Sequence, residues 1–351
     1  MELGQHFNER AVFSLTETIE HRRDIITKIK ETKDGVPVGG IVPESFIDTE
    51  GRSHTVVHIG DPFAADPTVY SFVSPLTPDE VIEIRDRIFP LQEAYKILEA
   101  LAMGHMLRAP VVLQGDPSVG KTFLIARFTE LLSGKGEAPV DFYCHKGTES
   151  SDLKGKWVPD RVNDGLFESW GELLQERSED RDPSTQESQD RLLELAGRTG
   201  MRCFSGTFGF ELGAIPKAMM FHRDPDGNIS YLPGGRGKPL HIEEVGQAQA
   251  GVVNGLLEMR GDGGKLADAI QLHELNGAMI PAGECFNLFM STNPPAGRGM
   301  QQRTEIDAAL ANGCIWVDIP RLSEASLKVC ARRYFAYTNR NLSNSATNRI
   351  I

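Results

Sequence analysis

The first 110 residues change between helical and strand-like patterns of hydrophobic positions. Ser14 and Glu17 have the spacing of a capping box, and isoleucines then recur near one helical face. β-branched residues on both sides of Glu50–Gly51 are typical of a hairpin, and Pro78 is typical of a first helical turn. The predicted elements are a helix over 14–33, a hairpin with strands at 46–47 and 55–59, and two helices between 77 and 108 that Pro90 separates.

From residue 110 onward, short hydrophobic runs alternate with helical stretches. Strands that are separated by helices pair in parallel, which predicts an α/β fold with a doubly wound parallel sheet. Residues 175–192 contain almost no hydrophobic side chain, so we predict a disordered surface insertion there. The predicted strands are 110–114, 140–144, 238–245, 286–291 and 315–319, and a helix is predicted over 123–132.

Composition and charge narrow the class of protein. Of 351 residues, 49 are acidic and 37 are basic, and the net charge of −12 opposes a broad electrostatic contact with nucleic acid. The five cysteines lack metal-ligand spacing and are expected to be reduced thiols. The N-terminus is too polar for a signal peptide, and the hydrophobic runs are too short for a membrane helix. We therefore expect a cytoplasmic protein without membrane insertion.

The segment GDPSVGKT matches the pattern G-x-x-x-x-G-K-[ST] at every fixed position, between a hydrophobic strand and a helical run. Its glycines let backbone N–H groups converge on a phosphate, and the helix N-terminus adds a positive dipole. Lys121 is expected to reach the β- and γ-phosphates, and the Thr122 hydroxyl to ligate Mg²⁺. The predicted phosphate-binding residues are Gly115, Asp116, Pro117, Ser118, Val119, Gly120, Lys121 and Thr122.

Two later strands end in polar side chains of the kind that nucleotide hydrolysis needs. A short hydrophobic run ends at Glu243 and Glu244. We expect Glu243 to contact magnesium through water, and Glu244 to polarise the attacking water. Asn293 follows the strand at 286–291 and is expected to position that water or the γ-phosphate. A solvated acidic pair and a simple Asn-Pro turn are the alternatives for these two sites.

Taken in order, these motifs resemble those of AAA+ ATPases, and within them the MoxR and midasin/dynein-related group. The resemblance covers residues 91–330 and adds weaker motifs to the three above. Phe208–Ala214 is similar to the helix-2 insert of that group, and Asn293 stands at its sensor-1 position. The other matching stretches are Ser151–Gly155 after the second strand, a helix at 252–258, a Gly-rich polar stretch at 261–283, and Arg303–Leu310.

The resemblance implies a P-loop NTPase that hydrolyses ATP with Mg²⁺ in a homo-oligomeric ring, commonly a hexamer. It also implies action on a protein partner, and a partner with a von Willebrand A domain is one such expectation. The implied AAA+ core spans 91–330. A helical and hairpin extension precedes it at 1–90, and a basic tail or truncated helical lid follows at 331–351.

Two departures from the family pattern bear on hydrolysis. Gly313 stands where the family carries an arginine that reaches the γ-phosphate of the neighbouring subunit. Loss of such an arginine costs about 10³–10⁵ in rate. Arg298 or Arg303 is the substitute that the sequence offers. The lid that normally follows the core is expected to be short or absent here, so an impaired ATPase is one alternative.

Two other functions stay open at this point. Gly313 and the short lid fit a nucleotide-binding interaction module with little hydrolysis. The basic tail fits a nucleic-acid-linked NTPase, similar to the motor subunits of restriction systems, although the net charge opposes it. Trp157 is either packed on its own domain or exposed toward a partner. The histidines without metal-ligand spacing, which we predict to be structural, are His145, His222 and His241.

Overall fold

The structure is a computed structural model that describes residues 19–33, 36–48, 50–159, 202–205, 208–224, 226–261, 264–273, 277–294 and 308–337. Its residues group into two compact units. Unit 1 comprises the described residues of 1–107, 113–138 and 316–351, and unit 2 those of 108–112 and 139–315. The predictions for Ser14, the insertion at 175–192, Arg298 and Arg303 lie outside the described residues, as does most of the tail.

In chain order, the elements up to residue 133 are α1 (Ile19–Ile29), β1 (Thr32–Lys33), β2 (Val36–Pro37), β3 (Ile41–Ile47), β4 (Ser53–Ile59), β5 (Tyr70–Ser74), α2 (Pro78–Arg87), α3 (Gln92–Leu107), β6 (Val111–Gly115) and α4 (Lys121–Ser133). Those from residue 140 onward are β7 (Val140–Tyr143), α5 (Ser150–Lys154), β8 (Gly155–Pro159), β9 (Arg202–Ser205), β10 (Phe208–Leu212), α6 (Ala214–Met219), β11 (Phe221–Arg223), β12 (Ile229–Tyr231), β13 (Leu240–Glu243), a 3₁₀ turn (Val245–Gln247), α7 (Ala250–Leu257), β14 (Ala269–Leu272), β15 (Ala278–Pro281), β16 (Leu288–Thr292), α8 (Ala308–Ala311), β17 (Ile315–Ile319) and α9 (Glu324–Tyr337).

The N-terminal part of unit 1 contains a three-stranded antiparallel sheet of order β3-β4-β5. The predicted hairpin is confirmed, since β3 and β4 pair over their whole length on both sides of the turn. Val57 and Ile59 of β4 are fully buried, which anchors the middle strand of the sheet. The sequence pattern did not reveal β5, because Tyr70–Ser74 is short and only partly hydrophobic.

Thr77, Pro78 and Pro90 mark the start of α2 and the break between α2 and α3, as the sequence predicts. Thr77 caps α2, with the Glu80 amide donating to its hydroxyl and the Thr77 amide donating back to the Glu80 carboxylate at 2.9 Å. Pro78 occupies the first turn of α2, and Pro90 separates α2 from α3. The helix predicted at 14–33 is observed over 19–29.

A five-stranded sheet of order β17-β6-β16-β13-β7 carries the α/β part of the fold. Within unit 2, β13 pairs in parallel with both β16 and β7, so that Glu243 is opposite Ser291 on one side and Tyr143 on the other. This arrangement confirms the predicted α/β class. The strand predicted over 238–245 is shorter than expected, because the backbone turns at Glu244.

One face of β13 and β16 forms the hydrophobic core of unit 2. Ile242 and Met290 are fully buried there, together with Ile215 of α6 and Leu256 of α7. Phe289 is also fully buried, and burial of both faces explains the continuous hydrophobic run at the start of β16. Two hairpins that the sequence analysis did not assign, β11–β12 and β14–β15, also belong to unit 2. Among the helices that the structure describes, none has the length and hydrophobicity to cross a bilayer.

Asp48 ties the hairpin of unit 1 together. Its carboxylate accepts hydrogen bonds from the backbone amides of Glu50 and Arg52 at 2.9 and 2.8 Å, and from the side chains of Arg52 and His54 at 2.7 and 2.9 Å. The bond from His54, joined by those from Arg52 and Glu50, holds the pKa of Asp48 well below its ordinary value of 3.8.

We predict that Asp48→Asn lowers the Tm at neutral pH and weakens its fall in acid. A carboxyl whose pKa is depressed by folding stabilises the folded state above its unfolded pKa, and this contribution is lost as the pH falls through the acid range. Thermal unfolding at about pH 7 and about pH 3 measures both effects. Asp66→Asn, in an exposed loop of the same unit, is the control. Identical pH dependence in the wild type and Asp48→Asn would contradict this account.

Candidate nucleotide-binding site

The segment 115–122 links the end of β6 to the start of α4. Two of its residues have left-handed backbone, Ser118 with φ of 66° and Gly120 with φ of 94°. A Cβ at Gly120 would meet no atom within 4 Å, so the glycine is needed there for its backbone conformation. At Gly115, a Cβ would lie 3.0 Å from the Cβ of Ile319, so a side chain would be crowded. The glycines of the motif therefore serve two different physical needs.

Lys121 and Thr122 open α4 at the end of this loop. The Lys121 ammonium donates to the carbonyl oxygens of Gly115 and Asp116 at 2.6 and 2.9 Å. Thr122 is exposed in the first turn, whereas Ile125 and Phe128 of the same helix are fully buried. A cation, an exposed hydroxyl and the positive end of a 13-residue helix thus lie together. This chemistry fits a phosphate group with Mg²⁺.

Arg321 contacts the same loop and was missed by the sequence analysis. Its Nε donates to the carboxylate of Asp116, and Asp116 also offers its carbonyl oxygen to Lys121. Arg321 follows β17 by two residues, and the two charged partners are 205 residues apart in the chain. No local pattern predicts such a pair. Because Arg321 is 87% exposed, the ion pair is worth at most about 1 kcal/mol.

Glu244 and Asn293 meet in unit 2, at the ends of β13 and β16. The Asn293 side-chain amide donates to Oε1 of Glu244. Glu244 adopts left-handed backbone, with φ of 57° and ψ of 40°, and starts the 3₁₀ turn. Its Oε2 is buried and has no hydrogen-bond partner among the described residues. One carboxylate oxygen is therefore held by an amide, while the other is left to accept a bond.

Glu243 is the last residue of β13. It is half-buried, and its backbone carbonyl accepts a hydrogen bond from the Cys144 amide at 2.9 Å. Within the described ranges, no group of three or more His, Cys, Asp or Glu side chains is arranged to hold a metal ion. Mg²⁺ is commonly bound by one or two protein oxygens together with substrate phosphates. Thr122 and Glu243 remain the predicted oxygen donors.

At residue 313 the structure shows why a side chain is disfavoured. Gly313 has φ of 91°, and a Cβ placed there would collide with Nη2 of Arg260. The same Nη2 lies 3.7 Å from where a Cβ of Gly264 would be, so the Arg260 guanidinium lies beside two glycines. Arg260 follows α7 and is half-buried. The chain thus places a guanidinium beside residue 313, although the residue itself is a glycine.

The other residues singled out from the sequence have ordinary surroundings. Trp157 is 40% exposed on β8 and packs edge-on against Phe210, with ring centroids 5.4 Å apart, so it is both packed and accessible. Burial raises the pKa of the Cys144 thiol to about 12 and that of Cys314 to about 11, as expected of unreactive thiols. The cysteines observed as free thiols, as predicted, are Cys144, Cys285, Cys314 and Cys330.

Residues 110–312 match the family profile of the AAA domain, dynein-related subfamily, over more than half of the chain. The chain belongs to this AAA family. The match contains the loop at 115–122, both strand-end acids and Asn293. Membership implies ATP binding and activity driven by ATP hydrolysis, and AAA domains typically assemble into rings. None of the curated proteins matches the chain significantly.

We predict that Gly313→Ala destabilises the AAA domain more than Gly227→Ala does. Both glycines have left-handed backbone, with φ of 91° and 87°, so both variants carry a strain of about 1 kcal/mol. Only at residue 313 must the added methyl group also displace the flexible end of the Arg260 side chain, since the nearest atom at residue 227 is 3.9 Å away. We therefore expect the difference between the two variants to be a fraction of the strain that they share. Urea unfolding measures the difference, and equal losses of unfolding free energy would refute the steric explanation.

Proposed function

We propose that this AAA domain hydrolyses ATP, with Glu244 as the general base. The observation that carries the proposal is the Glu244 carboxylate, because Asn293 holds one of its oxygens and the other is buried without a described partner. A base needs this arrangement, with a defined orientation and one oxygen available to accept a proton from water. The left-handed backbone at Glu244 further restricts where the carboxylate can point.

The remaining roles follow from the chemistry of the side chains. The loop at 115–122 binds the phosphates, and Lys121 exchanges its bonds to two loop carbonyls for bonds to phosphate oxygens. Mg²⁺, when bound with the nucleotide, neutralises phosphate charge. Thr122 and Glu243 would supply protein oxygens for it, Glu243 through water. Asn293 keeps Glu244 oriented.

We further propose that hydrolysis remodels a protein partner from within a homo-oligomeric ring of the MoxR type. The net charge of −12 favours a protein over nucleic acid as the partner. Trp157 supports a partner-facing surface on β8, because a large aromatic side chain remains 40% exposed there. A partner with a von Willebrand A domain, a hexameric ring and the division of the chain at residues 90 and 330 remain parts of this proposal.

The second candidate function is a nucleotide-binding module with little turnover. Gly313 favours it, since no side chain at that position can reach a neighbouring nucleotide. The guanidinium of Arg260 beside Gly313 favours hydrolysis instead, because it supplies a positive charge at the same place. A measured turnover therefore decides between the two functions.

Steady-state ATPase assays and ATP titrations of three variants test the proposal. We expect Lys121→Ala to lose both ATP binding and turnover. Glu244→Gln should keep ATP binding and lose about 10²–10⁴ in turnover, because the amide cannot accept the proton. Glu258→Gln, which changes an exposed glutamate paired with Lys154, is the matched control and should keep both.

Several outcomes would contradict the proposal in different ways. Near-normal turnover in Glu244→Gln would reject Glu244 as the base. ATP binding without turnover in the wild type, even at protein concentrations that assemble rings, would favour the binding module. Stimulation of turnover by DNA that weakens with added salt would favour a nucleic-acid-linked motor.

A further inference from the structure

Three polar side chains on neighbouring strands form a hydrogen-bonded row within unit 2. His241 of β13 contacts Asp141 of β7 through Nδ1 at 2.8 Å, and Ser291 of β16 through Nε2 at 3.0 Å. His241 is fully buried and Ser291 is 2% exposed, whereas Asp141 lies at the exposed end of the row. The row crosses three parallel strands: Asp141 is directly opposite His241, and Ser291 lies diagonally beside it, two residues beyond the partner of His241 on β16.

The donors and acceptors of this row follow from its chemistry. The Asp141 carboxylate only accepts, so Nδ1 of the His241 ring carries a hydrogen. The Ser291 hydroxyl can both donate and accept, so it pairs with Nε2 whether or not Nε2 carries a hydrogen. Both ring nitrogens are therefore satisfied inside a strand whose neighbours, Leu240 and Ile242, are hydrophobic. A buried polar row of this kind is costly unless every member is paired, and here each has a partner.

The residue types also match a Ser-His-Asp nucleophilic triad, but the surroundings do not. A nucleophile must reach a substrate, whereas Ser291 is buried within β16. In addition, the carboxylate is at the exposed end of this row, opposite to the burial order of such triads. The hydrogen bonds of the row are therefore better explained by the three strands that they hold together.

The register connects the row to the candidate base. Ser291 is directly opposite Glu243, and it precedes Asn293, the first residue after β16, by two residues. The His241–Ser291 bond thus joins β13 to β16 two to three residues before the point where Glu244 meets Asn293. Any sideways shift of β16 relative to β13 would move Asn293 away from Glu244.

We propose that His241 is a positioning residue for hydrolysis. Through Ser291 it holds the end of β16 against β13, which keeps the Asn293 amide within hydrogen-bond reach of Glu244. Asp141 orients the imidazole ring from the other side. The inference rests on the proposed function, because it assigns the row a role only if Glu244 and Asn293 act in hydrolysis.

Ser291→Ala and His241→Leu test the inference, with Ser74→Ala as the control. Ser74 carries another buried hydroxyl, which donates to the Leu131 carbonyl. We expect each row variant to lower kcat by about 10- to 100-fold, as loss of outer-shell partners does, with the Kd for ATP unchanged. His241→Gln, which retains a side-chain amide to contact Ser291, should recover part of the loss. The Tm of every variant reports any general damage to the fold.

Coupling to Asn293 separates positioning from structural damage. If His241 acts through the Glu244–Asn293 contact, His241→Leu should lower kcat little further in an Asn293→Ala background. A full additional loss in that double variant would overturn the inference. Unchanged kcat in Ser291→Ala and His241→Leu would also overturn it, provided that the wild type turns over ATP and Lys121→Ala does not.

A crystal structure of Ser291→Ala gives a readout that does not depend on turnover. The inference predicts that the Asn293 amide no longer donates to Glu244 in this variant. Retention of that bond would overturn the inference even if the wild type hydrolyses no ATP. The proposed function, in contrast, is tested by the turnover of the wild type, Lys121→Ala and Glu244→Gln, so the two failures are distinguishable.

Discussion

The parallel pairing of β7, β13 and β16 is the constraint on which the candidate base depends. In parallel strands with matched register, residues that follow the strands emerge at the same edge. Glu244 and Asn293 are 49 residues apart in the chain, yet this pairing brings their side chains into hydrogen-bond contact. The same register aligns His241 with Asp141 and sets Ser291 diagonally beside it. Hydrophobic packing on the other face, around Ile242 and Met290, keeps the strands together.

The loop at 115–122 depends on a different kind of constraint, which is local. Left-handed backbone at Ser118 and Gly120 lets the chain turn sharply before α4, and the buried face of α4 anchors the helix whose first residues carry Lys121 and Thr122. The Lys121 ammonium is paired with the carbonyls of its own loop. A phosphate can replace those carbonyls as acceptors, so the loop holds a cation ready without leaving it unpaired.

Many helices, strands and candidate site residues could be predicted from local motifs, because the interactions that form them involve residues close together in the chain. The capping box at Thr77, the loop at 115–122 and the hydrophobic strands are of this kind. Contacts between distant residues were not predictable: Arg321 with Asp116, Arg260 beside Gly313, and the row through His241. His241 was expected to be structural. Its contacts with Asp141 and Ser291 could not be predicted because they depend on the register of three strands. The left-handed backbone of Glu244, which shortens β13, likewise has no local sequence signal.

The central claim is that the segment 115–122 binds the phosphates of ATP. A crystal structure of the Glu244→Gln variant with ATP and Mg²⁺ tests it most directly. We predict phosphate density within the loop, with the Lys121 ammonium moved from the carbonyls of Gly115 and Asp116 to phosphate oxygens. Nucleotide bound elsewhere, or bound while Lys121 keeps both carbonyl contacts, would contradict the claim.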